Sequence, residues 1–250
     1  MKARVGSIID LSTIDWQGNT CSMVFFAGCN FRCPFCCNSS LIPLNSGAEV
    51  DLTMLQERVS ANQGFVDALG VTGGEPCLQP DAVTSLFKWS RKTGFKTFLN
   101  TNGTNPDLVL SLREEKALSY VALDIKAPLE PMAYNRVTGL ADSSNAVALI
   151  RRTLRTCIES EIPFEARTTI VPDLIEDEES IRRIARLREG HGAYFLQEFS
   201  PFEDIPDSEL RRKKPPKREH LLKLARSSLH EGATQVYIRT REHGSERVTL

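Results

Sequence analysis

Residues 25–38 read FFAGCNFRCPFCCN, and this stretch decides how the rest of the sequence is interpreted. Its thiols at Cys29, Cys33 and Cys36 are spaced four and three residues apart. Three ligands on one tight loop can hold an iron–sulfur cluster by three of its four irons, whereas closed clusters and structural zinc sites normally take four protein ligands. The fourth iron would stay open to a substrate or a cofactor.

A structural zinc site is the main alternative for the same cysteines. Such a site needs a fourth ligand, and Cys37 is the only thiol close enough in sequence. Because Cys36 and Cys37 are adjacent, their side chains diverge and would rarely serve one metal. No histidine occurs in the first half of the chain. On spacing alone, a zinc knuckle and a set of unrelated free thiols both remain open.

A second motif, Val71-Thr72-Gly73-Gly74-Glu75-Pro76, continues an apolar run that predicts a strand. Two glycines at a strand end let the backbone approach a ligand closely and leave peptide groups free to bond it. Taken alone, Gly-Gly-Glu-Pro is an ordinary turn. Its position downstream of Cys-x3-Cys-x2-Cys makes it far more informative.

Together the two motifs resemble the radical S-adenosylmethionine (SAM) superfamily. The resemblance implies a [4Fe-4S] cluster on Cys29, Cys33 and Cys36, whose open iron is chelated by the methionyl amine and carboxylate of SAM. It also implies that Gly73-Gly74-Glu75-Pro76 lies against the methionyl amine and that Phe35 lies beside the adenine. The resemblance strongly disfavours the zinc alternative.

The composition is that of one sizeable soluble domain, with 250 residues of which 41% are hydrophobic. The 31 basic and 32 acidic residues give no electrostatic case for nucleic acid or an anionic membrane as a partner. No apolar run reaches membrane-spanning length, and the N-terminal segment lacks a signal core. Seven cysteines, three of them in a metal-binding spacing, fit a reducing interior, which predicts a cytoplasmic protein.

Strand-like and helix-like segments alternate along the chain after a hairpin or edge strand at residues 5–14. Predicted strands cover residues 21–26, 68–72, 95–101, 120–125, 164–171, 193–199 and 235–239, and predicted helices cover 52–64, 81–92, 106–116, 145–160, 176–188 and 218–230. Because helices connect parallel strands, the predicted fold class is α/β, an open partial TIM barrel of about six βα units. Residues 1–250 are predicted to form one radical SAM domain, with a lead-in over 1–20 and a basic loop, helix and strand over 201–250.

In parallel α/β folds, ligands bind beyond the C-terminal ends of the strands. The predicted strand ends carry Asn100-Thr101-Asn102-Gly103 and Asp124-Ile125-Lys126, and Arg167 lies along the fifth predicted strand. Each has a plain structural interpretation, because Asn-Gly pairs form turns and charged groups are often solvated or paired with a neighbour. Their joint placement on one rim nevertheless favours a binding site.

Along this rim the resemblance narrows to the activating enzymes of glycyl radical proteins, namely pyruvate formate-lyase activase and the activating protein of anaerobic ribonucleotide reductase. Three strings look like motifs of that family: Asn100-Thr101-Asn102-Gly103, Asp124-Ile125-Lys126 and Tyr134-Asn135-Arg136-Val137-Thr138-Gly139. The resemblance implies that Arg167 contacts SAM and that Asp124 helps bind a monovalent cation beside the SAM carboxylate.

Three departures from pyruvate formate-lyase activase favour the ribonucleotide reductase branch. Asn100 stands where that activase has Asp, which puts the cation site in doubt. Cys37 replaces a common His, and Phe199 and Ser200 stand where the activase has a His near SAM.

The resemblance implies reductive cleavage of SAM with an electron from a ferredoxin- or flavodoxin-type donor. The resulting 5′-deoxyadenosyl radical would take the Cα hydrogen of a glycine on anaerobic ribonucleotide reductase, and no separate catalytic side chain is expected. The alternatives are a pyruvate formate-lyase-type activase, a small-molecule radical SAM enzyme such as a deazapurine synthase, and a noncatalytic iron–sulfur protein. Residues 211–218, RRKKPPKR, form either a solvated loop or a docking site for an acidic partner surface.

Overall fold

The computed structural model describes residues 1–250 and divides into two compact units. The first unit comprises Met1–Asn30 and Asn38–Ala122, and the second comprises Phe31–Cys37 and Leu123–Leu250. The cysteine loop therefore begins in the first unit, whereas its middle part, Phe31–Cys37, belongs to the second.

The first unit is built on a sheet whose central strands are parallel. Its strands are β1 (Lys2–Ser12), β2 (Cys21–Phe26), β3 (Ala48–Asp51), β4 (Ala68–Gly73) and β5 (Lys96–Thr101), and its helices are α1 (Leu52–Ser60), α2 (Pro80–Lys92) and α3 (Pro106–Glu114). Strands β2, β4 and β5 are parallel neighbours, and β1 pairs antiparallel with both β2 and β3. Phe26 and Gly73 are register partners at the ends of β2 and β4. The cysteine loop and the Gly-Gly turn consequently start side by side.

The strand β6 (Tyr120–Asp124) runs from the first unit into the second. The first unit has an aromatic cluster in which Trp16 stacks on Phe98 and Tyr120, with ring centroids 5.8 and 5.0 Å apart. Cys21 and Ala68 pack in the same cluster. Cys21, Ala68 and Tyr120 are the first residues of their strands, so the cluster lies at the strand ends opposite the cysteine loop.

The second unit continues the alternation of strands and helices. Its remaining elements are α4 (Pro131–Thr138), α5 (Ser144–Glu159), β7 (Phe164–Ile170), α6 (Glu178–Leu187), β8 (Ala193–Glu198), α7 (Arg218–His230), β9 (Val236–Thr240) and β10 (Gly244–Val248). Strands β7, β8 and β9 are parallel, and β9 and β10 form an antiparallel hairpin.

The predicted alternation is confirmed, and most boundaries agree to within a few residues. Three elements were not predicted, namely β3, α4 and β10. The predicted hairpin or edge strand at residues 5–14 corresponds to β1, which pairs antiparallel with β2, while β3 pairs only with Lys2–Val5 at its start. The single-domain organisation stays a prediction. No helix is long and apolar enough to cross a membrane.

Candidate functional site

The first part of the cysteine loop is held inside the first unit. Backbone hydrogen bonds run from Gly28 N to Leu41 O at 2.8 Å and from Cys29 N to Ile42 O at 3.0 Å. Leu41 ends a short 3₁₀ turn that begins at Ser39. The backbone of Gly28 and Cys29 is therefore held by two residues that follow the loop in the chain, Leu41 and Ile42.

The middle part of the loop is held inside the second unit. Arg32 N donates to Thr138 O at 2.7 Å at the end of α4, and the Phe31 ring packs edge-on against Tyr134. Gly139, at φ 68°, lies so close that a Cβ there would be 2.5 Å from Arg32 O. The Tyr134–Gly139 motif thus has a structural role, which is to anchor the cysteine loop.

Two further contacts shape the turn that carries the second and third cysteines. Cys36 N donates to Cys33 O at 3.1 Å, which closes a turn, and Asp207 N donates to Pro34 O at 3.1 Å. Cys33 is buried and Cys29 and Cys36 are partly buried, whereas Cys37 is exposed. The three spaced thiols thus sit in more protected positions than the adjacent Cys37.

Thiolates on one tight turn are the donor type that iron–sulfur clusters use. No group of three or more His, Cys, Asp or Glu side chains is arranged as a finished metal site. The assignment of the cluster to Cys29, Cys33 and Cys36 stays a prediction, supported by their spacing and their place on an anchored loop. The other three cysteines, Cys21, Cys77 and Cys157, lie outside this loop in the sequence and are buried.

The Gly-Gly turn holds the cysteine loop in place through its backbone. Gly74 N donates to Phe26 O at 2.8 Å, and Glu75 N donates to Gly28 O at 2.7 Å. A Cβ on Gly73, where φ is 119°, would be 2.3 Å from Phe26 O, and one on Gly74 would be 2.2 Å from Gly28 O. The turn was expected to leave its peptide groups free for a ligand. That expectation is wrong for the N–H groups of Gly74 and Glu75, because both donate to backbone carbonyls at the end of β2 and in the cysteine loop.

The Glu75 carboxylate joins the ends of β4 and β5. It is 1% exposed and accepts hydrogen bonds from Cys77 N at 3.0 Å, Thr101 Oγ1 at 2.7 Å and Asn102 N at 2.7 Å. Burial raises the pKa of Glu75, and the three donors act against that rise. Within the first unit this side chain fixes two strand ends, and Pro76 begins the short 3₁₀ turn that follows.

Asn100, near the end of β5, offers an unsatisfied acceptor. Its Nδ2 donates to Thr72 Oγ1 at 3.0 Å, whereas its Oδ1 is buried and receives no hydrogen bond from the protein. Buried polar atoms normally find a partner, because leaving one unpaired costs about 1–3 kcal/mol. Asn100 Oδ1 therefore fits a ligand that carries an N–H or O–H group, and SAM carries both.

Lys126 and Asp124, at the end of β6, form an ion pair in the second unit. Lys126 Nζ lies 3.0 Å from Asp124 Oδ2, and Lys126 N donates to Tyr134 Oη at 3.0 Å. Burial acts to lower the pKa of Lys126, but interactions with the Asp124 carboxylate and with Cys33 outweigh it, so the pKa lies above its ordinary value. The ammonium group therefore stays charged near the second part of the cysteine loop.

Arg167 lies within β7, where it is 4% exposed. Its Nε bonds Glu165 Oε1, and Arg239 Nη2 lies 3.9 Å from the same oxygen. Glu165 and Arg239 were not singled out from the sequence, although Glu165 and Arg167 are two residues apart and must share one face of a strand. That spacing was the signal that could have identified Glu165.

Two other residues complete the picture. Phe35 is buried, and its place beside adenine stays a prediction. Asn38, also missed, donates from Nδ2 to Gly73 O at 3.3 Å and so ties the end of the cysteine loop to the Gly-Gly turn. No sequence pattern marks Asn38, because the contact depends on the pairing of β2 with β4.

Comparison with known proteins gives consistent matches. Residues 23–187 match the family model of the radical SAM superfamily. A Methanocaldococcus jannaschii protein that is provisionally named a glycyl-radical enzyme activating enzyme is 33% identical over 90% of this chain and 92% of its own length. The pyruvate formate-lyase 1-activating enzyme of Escherichia coli is 27% identical over 86% of this chain and 91% of its own.

Solved structures show the same fold at low sequence identity. A radical SAM methyltransferase from Sphaerobacter thermophilus has a TM-score of 0.70 at 15% identity, over 90% of this chain and 67% of that one. The structure of TYW1 with a lysine–pyruvate adduct has a TM-score of 0.64 at 19% identity, over 90% and 77% of the two chains. These likenesses confirm the predicted fold class, an α/β open partial TIM barrel.

Proposed function

The chain belongs to the radical SAM superfamily as a glycyl-radical enzyme activating enzyme, and from that premise we propose that it installs the glycyl radical on an anaerobic ribonucleotide reductase. The observation that carries the choice of partner is Asn100. A pyruvate formate-lyase activase is expected to carry an Asp at this position, and here a neutral amide with an unsatisfied Oδ1 takes its place.

The family uses a [4Fe-4S] cluster and SAM. When both are bound, the cluster would supply the electron for reductive cleavage of SAM, and SAM would supply the hydrogen-abstracting radical. Cys29, Cys33 and Cys36 would hold the cluster. We infer that a low-potential ferredoxin or flavodoxin delivers the electron.

The remaining residues bind and orient SAM rather than react. Asn100 Oδ1 would accept a hydrogen bond from a hydroxyl or ammonium group of SAM, and a neutral amide suits that role without a monovalent cation. Lys126 and Arg167 would attract the SAM carboxylate, because it is the only anionic group of that molecule. Asp124 holds Lys126 at 3.0 Å. Phe35 would offer an apolar surface for the adenine.

The second candidate is a pyruvate formate-lyase-type activase. It is favoured by the similarity to the E. coli enzyme of that name over 86% of this chain. The two candidates share every step up to hydrogen abstraction, so they differ only in the protein that presents the glycine.

The test is to mix the anaerobically reconstituted protein, SAM and a reductant with purified anaerobic ribonucleotide reductase or pyruvate formate-lyase from the same organism. The glycyl radical is then measured by electron paramagnetic resonance. We expect a glycyl radical signal in the mixture that contains the reductase, no signal in the mixture that contains the lyase, and no signal when SAM is omitted. A signal with the lyase alone would establish the second candidate. SAM cleavage without a signal from either would point to a small-molecule substrate, and failure to bind SAM would indicate a noncatalytic iron–sulfur protein.

A further inference from the structure

One face of the second unit's sheet places two arginines against a single carboxylate. Glu165 and Arg167 alternate with Ala166 on β7, so both point to the same face. The register pairs Arg167 with Phe195 on β8 and Phe195 with Tyr237 on β9. Arg239, two residues beyond Tyr237, therefore belongs to that face as well.

The contacts hold Arg239 in a defined position. Its guanidinium lies over the Phe195 ring at 4.6 Å, its Nε donates to Ser245 Oγ at 3.0 Å, and its Nη2 lies 3.9 Å from Glu165 Oε1. The Glu165 side chain is 1% exposed and that of Arg239 is 16% exposed. Stacking on an aromatic ring and a fixed hydrogen bond suit an arginine that is positioned in advance for an electrostatic task.

Charge balance gives this arrangement its consequence. Glu165 and Arg167 alone would form a neutral pair, and a neutral pair attracts an anionic ligand only weakly. With Arg239 drawing on the same carboxylate, the three side chains carry a formal charge of one positive unit. Water is largely excluded around Glu165 and Arg167, so this charge is poorly screened. Arg167 is thereby left with positive charge to direct at a ligand.

We propose that Arg239 is a positioning residue: by sharing Glu165, it offsets that carboxylate, so that Arg167 presents net positive charge to the SAM carboxylate. This rests on the proposed function, in which Arg167 contacts SAM. The carboxylate is the matching group because the other two charged groups of SAM, its ammonium and sulfonium, are cationic and would be repelled. Arg239 thus acts on SAM selection through Arg167 and not by touching the reacting atoms.

The experiment compares equilibrium binding of SAM and of decarboxylated SAM to reconstituted, unreduced protein, in which no turnover occurs. Wild-type protein should prefer SAM. Arg239→Met should reduce this preference about tenfold, equivalent to about 1.4 kcal/mol, while Arg239→Lys should keep most of it. Arg247→Met is the matched control, since Arg247 is an exposed arginine on the neighbouring strand β10 and should leave the preference unchanged.

A double variant separates charge from packing. Glu165→Gln combined with Arg239→Met leaves Arg167 as the only charge of the three, so the preference for SAM should return. An unchanged preference in Arg239→Met, or no recovery in the double variant, overturns the proposal. Circular dichroism checks folding, and Arg239→Gln replaces the methionine variant if that one is not native. If wild-type protein itself does not prefer SAM, the assumed contact between Arg167 and SAM is what fails.

Discussion

The polar side chains on the strands of the first unit and on those of the second differ in charge. In the first unit, the ends of β4 and β5 are closed by uncharged donors that converge on the buried Glu75. In the second, the end of β6 carries the ion pair of Lys126 with Asp124, and a second ion pair, Arg167 with Glu165, lies within β7. The comparison shows that uncharged hydrogen bonds join strand ends in the first unit, whereas ion pairs stand on the strands of the second.

We expect the largest difference between variants of two cysteines, Cys33 in the second unit and Cys77 in the first. Cys33→Ala should remove the bound iron and abolish SAM cleavage, because three thiols leave no substitute ligand. Cys77 lies within the Glu75 network, where its Sγ is 3.3 Å from Thr101 Oγ1. Cys77→Ala should keep the iron and lower the free energy of unfolding by no more than about 2 kcal/mol. Iron content, SAM cleavage and thermal unfolding are the measurements, and full iron retention in Cys33→Ala would refute the cluster assignment.

The next effect compares one carboxylate from each region. Glu75→Ala leaves three donors without their acceptor, at about 1 kcal/mol or more each, so the free energy of unfolding should fall by about 3 kcal/mol. Asp124→Asn should cost less than about 1 kcal/mol, because the ion pair with Lys126 is partly solvated, but it should weaken SAM binding. Denaturant unfolding and equilibrium SAM binding test both variants. Equal losses of stability would remove the distinction between the two regions.

We expect the smallest effect from the basic residues 211–218 of the second unit, and this variant tests whether they help a partner protein to dock. Within residues 211–218, Lys213 already pairs with Asp173 at 2.5 Å and Arg212 pairs with Glu209, whereas Arg211 and Lys214 are exposed. Changing Arg211 and Lys214 to Ser should slow partner activation by about two- to threefold at low salt, since exposed charge pairs contribute about 0.2–1 kcal/mol. SAM cleavage without partner should not change.

Salt provides the control for this last variant. The Debye length falls from about 10 Å at 0.1 M to about 3 Å at 1 M, so the difference from wild type should vanish at high salt. Activation that stays normal at every ionic strength would identify the basic stretch as a solvated connection.

Local patterns predicted the strands and helices well because alternation and helical periodicity are properties of short segments. The four residues of β3, Ala48–Asp51, were missed because they are mostly exposed and become a strand only by pairing with β1. Glu165 is buried and Arg239 is partly buried, and they come close only because strands distant in sequence meet in the sheet.

The candidate site shows the same difference between local sequence patterns and contacts that form between distant strands. The cysteine spacing and the downstream Gly-Gly turn, taken together, predicted that both motifs belong to one site. The role of the Gly74 and Glu75 N–H groups could not be predicted, because their acceptors, Phe26 O and Gly28 O, come close only when β2 and β4 pair. The sequence therefore predicted a set of candidate residues, whereas their contacts became known only with the fold.

The hydrogen bond from Asp207 N to Pro34 O has a consequence for biosynthesis. A ribosome makes Pro34 early and Asp207 late, and the loop's other anchor in the second unit, Thr138, also follows by a long stretch of chain. Until those segments emerge, the Cys33–Cys36 turn lacks its supports, whereas the supports of Cys29 at Leu41 and Ile42 are already present. We therefore expect cofactor loading to follow synthesis of the segment that contains Asp207, so that a nascent chain stalled before Asp207 stays iron-free.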